Sequence, residues 1–293
     1  MGNALLEIIK MIATLALAPL VGGIITRIKN NLRMRKGPGV FQPYYDIIKL
    51  FAKEEVVSKE SSWIFRFAPF VVAGSAMAAA LFAPALVSAG DVLIVFFILS
   101  LGRFILSLAG LDTGSAFGGM GSSRDMFVSS LAEPGAFLAV FAVALSRGNT
   151  ALIPAGDPFA LKLSAIAAAA ALLIVIIAET SRIPVDNQET HLELTMIHEA
   201  MTLEYSGRPL ALIELAAYVK QLVLFLLLAF VLFPAGANPV GGTVTLAALA
   251  ALTVVIAGIE VAVAKMRLFR AVDFLSFGLV LAILAAVAAA LGA

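Results

Sequence analysis

Eight apolar stretches, separated by polar segments, run along the whole chain. Each is close to the roughly 20 helical residues that cross the hydrocarbon core of a bilayer. They are continuous runs without the alternation of a membrane β-barrel. The pattern therefore predicts an all-α integral membrane protein, one polytopic domain over residues 1–293 that forms a bundle of eight transmembrane helices, at about 5–25, 66–89, 92–111, 127–146, 162–179, 210–233, 244–264 and 271–292.

The composition narrows the possible functions. Of the 293 residues, 61% are hydrophobic and only 13% are charged, which excludes a soluble monomer. A formal net charge of +1 excludes a chain that binds nucleic acid through its overall charge. The chain contains no cysteine, so it lacks the thiolates that hold iron–sulfur clusters. Any redox chemistry must then belong to a partner, and we expect no cofactor and no metal in this chain.

The basic residues predict the orientation. Fifteen of the 20 Lys and Arg residues fall in the polar segments after the first, third, fifth and seventh spans. Basic residues concentrate in cytoplasmic loops, and an even number of spans leaves both termini on one side. We therefore expect both termini outside the cytoplasm of a multi-pass protein of the cell membrane, with cytoplasmic loops at about 27–65, 112–126 and 180–209.

The first cytoplasmic loop contains a short amphipathic helix. After a turn at Gly37-Pro38-Gly39, apolar side chains recur with helical spacing, and polar ones occupy the other face. This pattern predicts a helix lying in the membrane interface. It rests on anionic lipid, lines the entrance of a cavity or docks a soluble partner. The residues that would face such a partner in this loop are Arg35, Lys36, Asp46, Lys49 and Lys53.

Acidic residues gather between residues 179 and 214. Seven of them, with both histidines, share this segment with two basic residues, Arg182 and Arg208. A zinc helix would need a His-x-x-x-His spacing that is absent. Two further explanations stay open, a solvated acidic loop and a relay of ionisable groups that leads protons into the bundle. The residues in question are Glu179, Asp186, Glu189, His191, Glu193, His198, Glu199, Glu204 and Glu214.

Charged residues inside the apolar spans favour the relay. Arg103, Glu133, Glu214, Lys220 and Glu260 each cost about 2.5–3.5 kcal/mol in hydrocarbon unless they pair or meet water. We therefore predict a polar cavity within the bundle. Arg103 should turn inward and pair with a carboxylate, and Glu133 is the candidate nearest along the chain among the acidic residues inside the predicted spans.

A glycine-rich stretch precedes the fourth span, at residues 114–121. It lacks the Gly-Lys-Ser/Thr ending of a phosphate-binding loop. We expect it to form a flexible loop on the cytoplasmic side that permits close approach of its neighbours.

Three motifs resemble one protein family. The run 178–186, Ala-Glu-Thr-Ser-Arg-Ile-Pro-Val-Asp, is similar to the Ala-Glu-Thr-Asn-Arg-x-Pro-Phe-Asp signature of the membrane subunit that forms the quinone channel of respiratory complex I. The basic turn at 35–39 and the helix at 46–54 resemble two further motifs of that subunit. The resemblance extends over nearly the whole chain, and eight spans with both termini outside also agree with it.

Two stretches resemble one branch of this superfamily more closely. Residues 187–199, and the stretch 112–124 followed by 131–134, are similar to the corresponding subunit of energy-converting nickel–iron hydrogenases of the Ech and formate-hydrogenlyase type. The resemblance implies soluble large and small (iron–sulfur) hydrogenase subunits that hold the nickel–iron centre and clusters, and antiporter-like membrane subunits beside this chain. It also implies docking near Arg124, His191 and His198. Together with the charges inside the spans, it implies a proton-coupling role for Arg103, Glu133, Glu179, Arg182, Asp186, Glu193, Glu199, Glu204, Glu214 and Glu260.

Three other functions stay open at this point. A complex I-like quinone oxidoreductase would use the same cavity for quinone, and a sulfur-reducing complex would share the architecture. A stand-alone secondary transporter would carry internal repeats with interrupted helices, and the chain shows no such repeat.

Overall fold

The computed structural model describes residues 2–57, 61–83, 91–150, 162–187, 196–233 and 239–292. All regular elements of this part of the chain are helices. In chain order they are α1 (Gly2–Leu32), α2 (Gln42–Phe51), α3 (Trp63–Phe82), α4 (Val92–Asp112), α5 (Ala116–Arg147), α6 (Leu163–Glu179), α7 (His198–Thr202), α8 (Gly207–Leu232), α9 (Pro239–Ala262) and α10 (Leu268–Ala290).

Eight of these helices correspond to the eight predicted spans. Seven are long and apolar enough to cross a membrane, and α6, with 17 residues, is at the lower end of that range. The all-helical fold is thus confirmed, and the chain is a multi-pass membrane protein. The predicted surface helix in the first loop is α2, whose Ile47 is buried while Ile48 remains 65% exposed.

α8 lies at the centre of the bundle. Almost every side chain of its second half is buried, from Leu222 through Val231. Small residues let the other helices approach closely, since lipid supplies no hydrophobic drive for helix association. Ala79 and Ala80 of α3 are buried at such contacts, as are Ala168 and Ala171 of α6, in the small-residue stretches of the sequence.

The glycine-rich stretch differs from the predicted flexible loop. Residues from Ala116 onward are helical and form the first turns of α5, which Ser115 caps by accepting a hydrogen bond from the Gly118 N–H at 3.0 Å. The predicted close approach is present, because a side chain at Gly121 would lie 2.8 Å from the Ala200 Cβ. The loop prediction was wrong since it considered helix propensity alone, whereas packing against α4 and α7 stabilises these turns.

The length of α5 has a consequence for the membrane. Its 32 residues rise about 1.5 Å each, giving roughly 48 Å, whereas the hydrocarbon core is about 30 Å thick. Part of α5 must project from the core. The glycine-rich and serine-rich first turns are the less apolar part of the helix.

Candidate functional site

Arg103 is the centre of a buried ion-pair network. It lies in the middle of α4, and its guanidinium makes two hydrogen bonds to Asp125 of α5, Nε to Oδ2 at 3.0 Å and Nη2 to Oδ1 at 2.7 Å. Its Nη1 donates to Glu179, the last residue of α6. Such two-pronged contacts to a carboxylate are the strong form of the ion pair. Arg103 therefore joins three helices through charged groups.

Two further side chains extend this network. The Lys220 Nζ of α8 lies 2.6 Å from the Glu179 Oε2. Ser107, one turn after Arg103, donates to the Asp125 Oδ2 at 2.9 Å. These five residues, Asp125, Arg103, Ser107, Glu179 and Lys220, form what we call the central cluster.

A second cluster lies around Glu260 near the end of α9. The Glu260 Oε2 accepts a hydrogen bond from the Lys29 Nζ of α1 at 2.9 Å, and Oε1 accepts from Arg182. Arg182 also donates to the Gln221 Oε1 at 2.8 Å. Glu260 is only 4% exposed. We call Glu260, Lys29, Arg182 and Gln221 the α9 cluster.

The two clusters are neighbours along the chain. Arg182 follows Glu179 by three residues, and Gln221 follows Lys220 directly. Both clusters contribute to the wall of one cavity. Within it, the centres of water molecules can occupy a volume of about 110 Å³. One water needs roughly 10–15 Å³ by this measure, so the cavity has room for several. Its wall also includes His198, Glu199, Glu214 and Tyr218.

Glu199 and His198, in the short helix α7 outside the spans, bring titratable groups to this cavity. Burial, followed by repulsion from Glu214 and Asp186, raises the pKa of Glu199 to about 7. Burial lowers the pKa of His198, aided by Lys220 and Arg103 and opposed by Asp125 and Asp186. Glu199 therefore changes charge near neutral pH, and His198 is held neutral there.

Asp186 has a different environment. It is 1% exposed, and its carboxylate accepts hydrogen bonds from the backbone N–H groups of Asn187, Ile197 and His198 at 2.8, 3.0 and 3.2 Å. The Lys265 Nζ binds the same carboxylate at 2.8 Å. Asp186 is thus bound to both ends of the segment between Asn187 and Ile197.

The prediction for Arg103 was half right. It turns inward and pairs with carboxylates, but these are Asp125 and Glu179 instead of Glu133. Glu133 lies on α5 with its side chain half-buried and hydrogen-bonded to Ser100 of α4. The prediction failed because Asp125, which is nearer to Arg103 along the chain than Glu133, was assigned to a loop, and because helix packing brings the end of α6 to Arg103.

The other predicted residues divide into four groups. The structure brings Glu179, Arg182, His198, Glu199 and Glu214 to the cavity, with Arg103 and Glu260 in its two clusters. Arg124 is half-buried and donates to the Met196 carbonyl at 3.1 Å, so its guanidinium binds within the chain. Exposed on the surface are Arg35, Lys36, Asp46, Lys49, Lys53 and Glu204; Glu189, His191 and Glu193 lie outside the described residues.

Sequence reasoning missed four members of these clusters. Asp125 was overlooked because it follows a glycine-rich stretch that was assigned to a loop, and Lys29 was counted as a loop residue although α1 continues to Leu32. Ser107 lies four residues after Arg103 on the same helix face, which was a usable signal. Gln221 gave no signal beyond its place in an apolar span. Within the described residues, no three His, Asp or Glu side chains gather as a metal site would require.

Comparisons with known proteins agree with this architecture. The sequence model of the NADH dehydrogenase family matches residues 5–291. Hydrogenase-4 component C of Escherichia coli strain K12 is 34% identical over 232 residues, which cover 76% of this chain and 73% of that protein. Formate hydrogenlyase subunit 4 of the same organism is 31% identical over 245 residues, covering 80% and 79%.

More distant relatives extend the comparison. NADH-quinone oxidoreductase subunit 8 of Rhodothermus marinus is 30% identical over 215 residues, which cover 68% of this chain and 62% of that protein. A chain in the solved structure of the membrane-bound sulfane sulfur reductase, an archaeal respiratory membrane complex, superimposes with a TM-score of 0.87 at 19% identity, covering 99% of this chain and 100% of that one. That likeness shows a shared fold. The resemblance drawn from the three motifs is confirmed, and this chain belongs to the NADH dehydrogenase family.

Proposed function

We propose that this chain is the membrane-anchoring and coupling subunit of a multisubunit, ion-translocating nickel–iron hydrogenase. The two Escherichia coli relatives, each above 30% identity over three-quarters of the chain or more, support the hydrogenase branch. In this proposal the soluble large and small subunits hold the nickel–iron centre and the iron–sulfur clusters. They dock on the predicted cytoplasmic face, and both termini lie outside the cytoplasm of the cell.

One observation supports the coupling role. Four charged side chains of alternating sign form successive ion pairs across four helices inside the membrane bundle, in the order Asp125, Arg103, Glu179 and Lys220. Charged groups inside a membrane domain are costly and mark ion pathways. Here they line a cavity that also reaches Glu199, whose pKa of about 7 suits a group that exchanges protons at neutral pH.

The proposed sequence of events begins at the docked partner. Electron transfer there changes the charge next to the segment 179–204, and Glu199 gains or loses a proton in response. The change in charge alters the balance of the central cluster, where Glu179 is shared between Arg103 and Lys220. Protons, or the electrostatic signal alone, then pass on through Glu214 and the α9 cluster or through Glu133. This chain itself reduces nothing.

Glu133 suggests where the antiporter-like subunits attach. It is half-buried in a membrane-spanning helix, and the next residue, Pro134, is exposed on the same stretch. A carboxylate open to lipid would cost about 2.5–3.5 kcal/mol. A neighbouring membrane subunit that covers this face of α5 removes that cost and receives the signal.

Metal analysis of the native complex tests the hydrogenase assignment. The complex would be purified through an affinity tag on this chain, and its nickel, iron and quinone contents would be measured. We expect co-purified subunits with nickel in one-to-one ratio to this chain. Co-purified subunits that contain iron but no nickel would contradict the proposal.

A quinone-reducing complex is the second candidate. The cavity supports it, because apolar side chains of Val72, Leu99, Leu106 and Ile213 lie in the same wall as the charged groups, as a site for a lipid-soluble ligand requires. The Rhodothermus marinus relative also favours it. Bound quinone without nickel in the purified complex would select this candidate.

A further inference from the structure

Asp186 lies at the junction of three contacts between the start of the acidic segment and the end of α9. Arg182 binds Glu260, the Pro184 carbonyl accepts a hydrogen bond from the Met266 N–H at 2.9 Å, and Asp186 binds Lys265. Residues 182, 184 and 186 therefore each contact the stretch 260–266. The start of the segment is fixed to the end of α9 at three successive points.

The same carboxylate also holds the far end of the segment. Asp186 Oδ2 accepts the N–H groups of Ile197 and His198, the residues at which α7 begins. These N–H groups have no partner within a helix, and a carboxylate satisfies them well. Asp186 thus holds together two points that are eleven and twelve residues away along the chain.

The hydrogen-bonding capacity of Asp186 is used up by these contacts. A carboxylate offers about four acceptor sites on its two oxygens, and four donors occupy them here. At 1% exposure the group is also shielded from water. A proton carrier needs a lone pair free to receive the proton, and Glu199, which is partly exposed to the cavity, differs from Asp186 in this respect.

We propose that Asp186 is a positioning residue: it holds the two ends of the segment 187–197 together and against the end of α9, and it carries no proton. The segment between these ends contains Glu189, His191 and Glu193, which the proposed function places at the soluble partner, and the inference on coupling rests on that function. Contact with the partner would then be transmitted to α9 through Arg182, Pro184 and Asp186.

Two substitutions separate positioning from proton transfer. Asp186→Asn keeps an oxygen that accepts the N–H groups of Ile197 and His198, but it cannot carry a proton at neutral pH. Asp186→Ala removes both capacities. Asp112→Ala is the matched control, since Asp112 similarly accepts the backbone N–H groups of Ser62 and Phe65, at the start of α3.

Hydrogen exchange of the native complex, followed by mass spectrometry of peptides that cover residues 196–202, is the first readout. We expect exchange there to become roughly tenfold faster in Asp186→Ala, the effect of losing a charge-assisted hydrogen bond. Exchange should become about threefold faster in Asp186→Asn, which keeps a neutral acceptor, and stay within about twofold of wild type in Asp112→Ala. Unchanged exchange in Asp186→Ala would overturn the proposal. If that variant does not assemble, Lys265→Met supplies a milder loss, with an expected intermediate exchange rate.

Ion movement per hydrogen molecule formed is the second readout. We expect Asp186→Asn to keep the wild-type ratio, because Arg182 and Pro184 still bind the end of α9. A lost ratio despite largely retained protection of residues 196–202 would show that Asp186 carries a proton, which overturns this inference and leaves the proposed function standing. Absence of nickel from the complex would instead remove the proposed function and leave the exchange result valid.

Discussion

Arg103 in the middle of α4 donates a hydrogen bond to Glu179 at the end of α6, although 76 residues separate them along the chain. Each of the two has another charged partner, Asp125 for Arg103 and Lys220 for Glu179. Loss of either member therefore leaves its remaining neighbours buried without their full counter-charge. This mutual dependence makes the central cluster sensitive to any change of charge at its edge.

Removal of Arg103 should be severely destabilising. Arg103→Gln leaves Asp125 buried, with Ser107 as its remaining side-chain donor within the described residues. Breaking a buried pair in this way costs about 3–5 kcal/mol. We expect a corresponding drop in the thermal denaturation midpoint of the purified complex in detergent. Arg208→Gln, at an exposed position near the start of α8, is the control and should change it little. Equal midpoints for the two variants would contradict the ion-pair network.

The α9 cluster predicts an asymmetry between its members. Glu260 is the acid shared by Lys29 and Arg182. Glu260→Gln therefore removes the negative charge that both of these buried cations contact. Lys29→Met leaves the Glu260–Arg182 pair intact. We expect Glu260→Gln to lower the free energy of unfolding by about 3–5 kcal/mol and Lys29→Met by less. The comparison would be made by denaturation of the purified complex, with the exposed Lys49→Met as control, and the reverse order would be evidence against this arrangement.

Close packing of α5 against α7 can be tested with two glycines of one helix. A Cβ at Gly121 would meet the Ala200 Cβ at 2.8 Å and the Ile197 carbonyl oxygen at 3.0 Å, whereas a Cβ at Gly119 would meet nothing within 4 Å. Gly121→Ala should therefore cost about 1–3 kcal/mol through overpacking. Gly119→Ala should stabilise by about 0.5–1 kcal/mol through helix propensity. Thermal denaturation of both variants measures the difference, which would vanish if residues 116–121 formed a loop.

The raised pKa of Glu199 predicts a pH-dependent gain from its removal. Below pH 4.5, the ordinary value, Glu199 is protonated in the folded and unfolded states alike, so its ionisation costs nothing. Between pH 4.5 and about 7 only the unfolded state ionises, so this group lowers stability as pH rises; above about 7 the loss is constant. Glu199→Gln should remove a penalty of no more than about 3 kcal/mol.

The test of this prediction is a pair of denaturation series. The free energy of unfolding of wild type and Glu199→Gln would be measured between about pH 4 and pH 8, a range that includes both the ordinary and the shifted pKa of Glu199. We expect the difference between them to grow with pH and to level off above about 7. A difference that does not change with pH would mean that Glu199 titrates as it would in water.

The helices of this fold follow from hydrophobicity, whereas the pairing of its charges does not. Eight apolar runs predict eight apolar helices, and the charges within them were expected to face inward because lipid excludes them. The first turns of α5 carry Gly and Ser instead of apolar residues; Ser115 caps them, and α4 and α7 pack against them. No local pattern reveals that contact.

The partners of the buried charges depend on how the helices pack. Lys29 and Glu260 are 231 residues apart and form one ion pair, which no spacing rule predicts. Glu133 is nearer to Arg103 along the chain than Glu179 is, yet the helix packing brings Glu179 to the Arg103 guanidinium instead. The chemistry of the site was thus predictable as a set of residue types, while its connections required the three-dimensional arrangement.

The central claim is that Glu179 links chemistry in the soluble partner to ion movement in the membrane. Its most direct test is the ratio of ions moved to hydrogen formed, measured for the complex in sealed vesicles with Glu179→Gln in this chain. Asp273→Asn serves as the control, because Asp273 is exposed and lies outside both clusters and outside the segment 179–204. We expect Glu179→Gln to form hydrogen but to lose ion movement, while Asp273→Asn keeps both; a Glu179→Gln complex that stays fully coupled would contradict the claim.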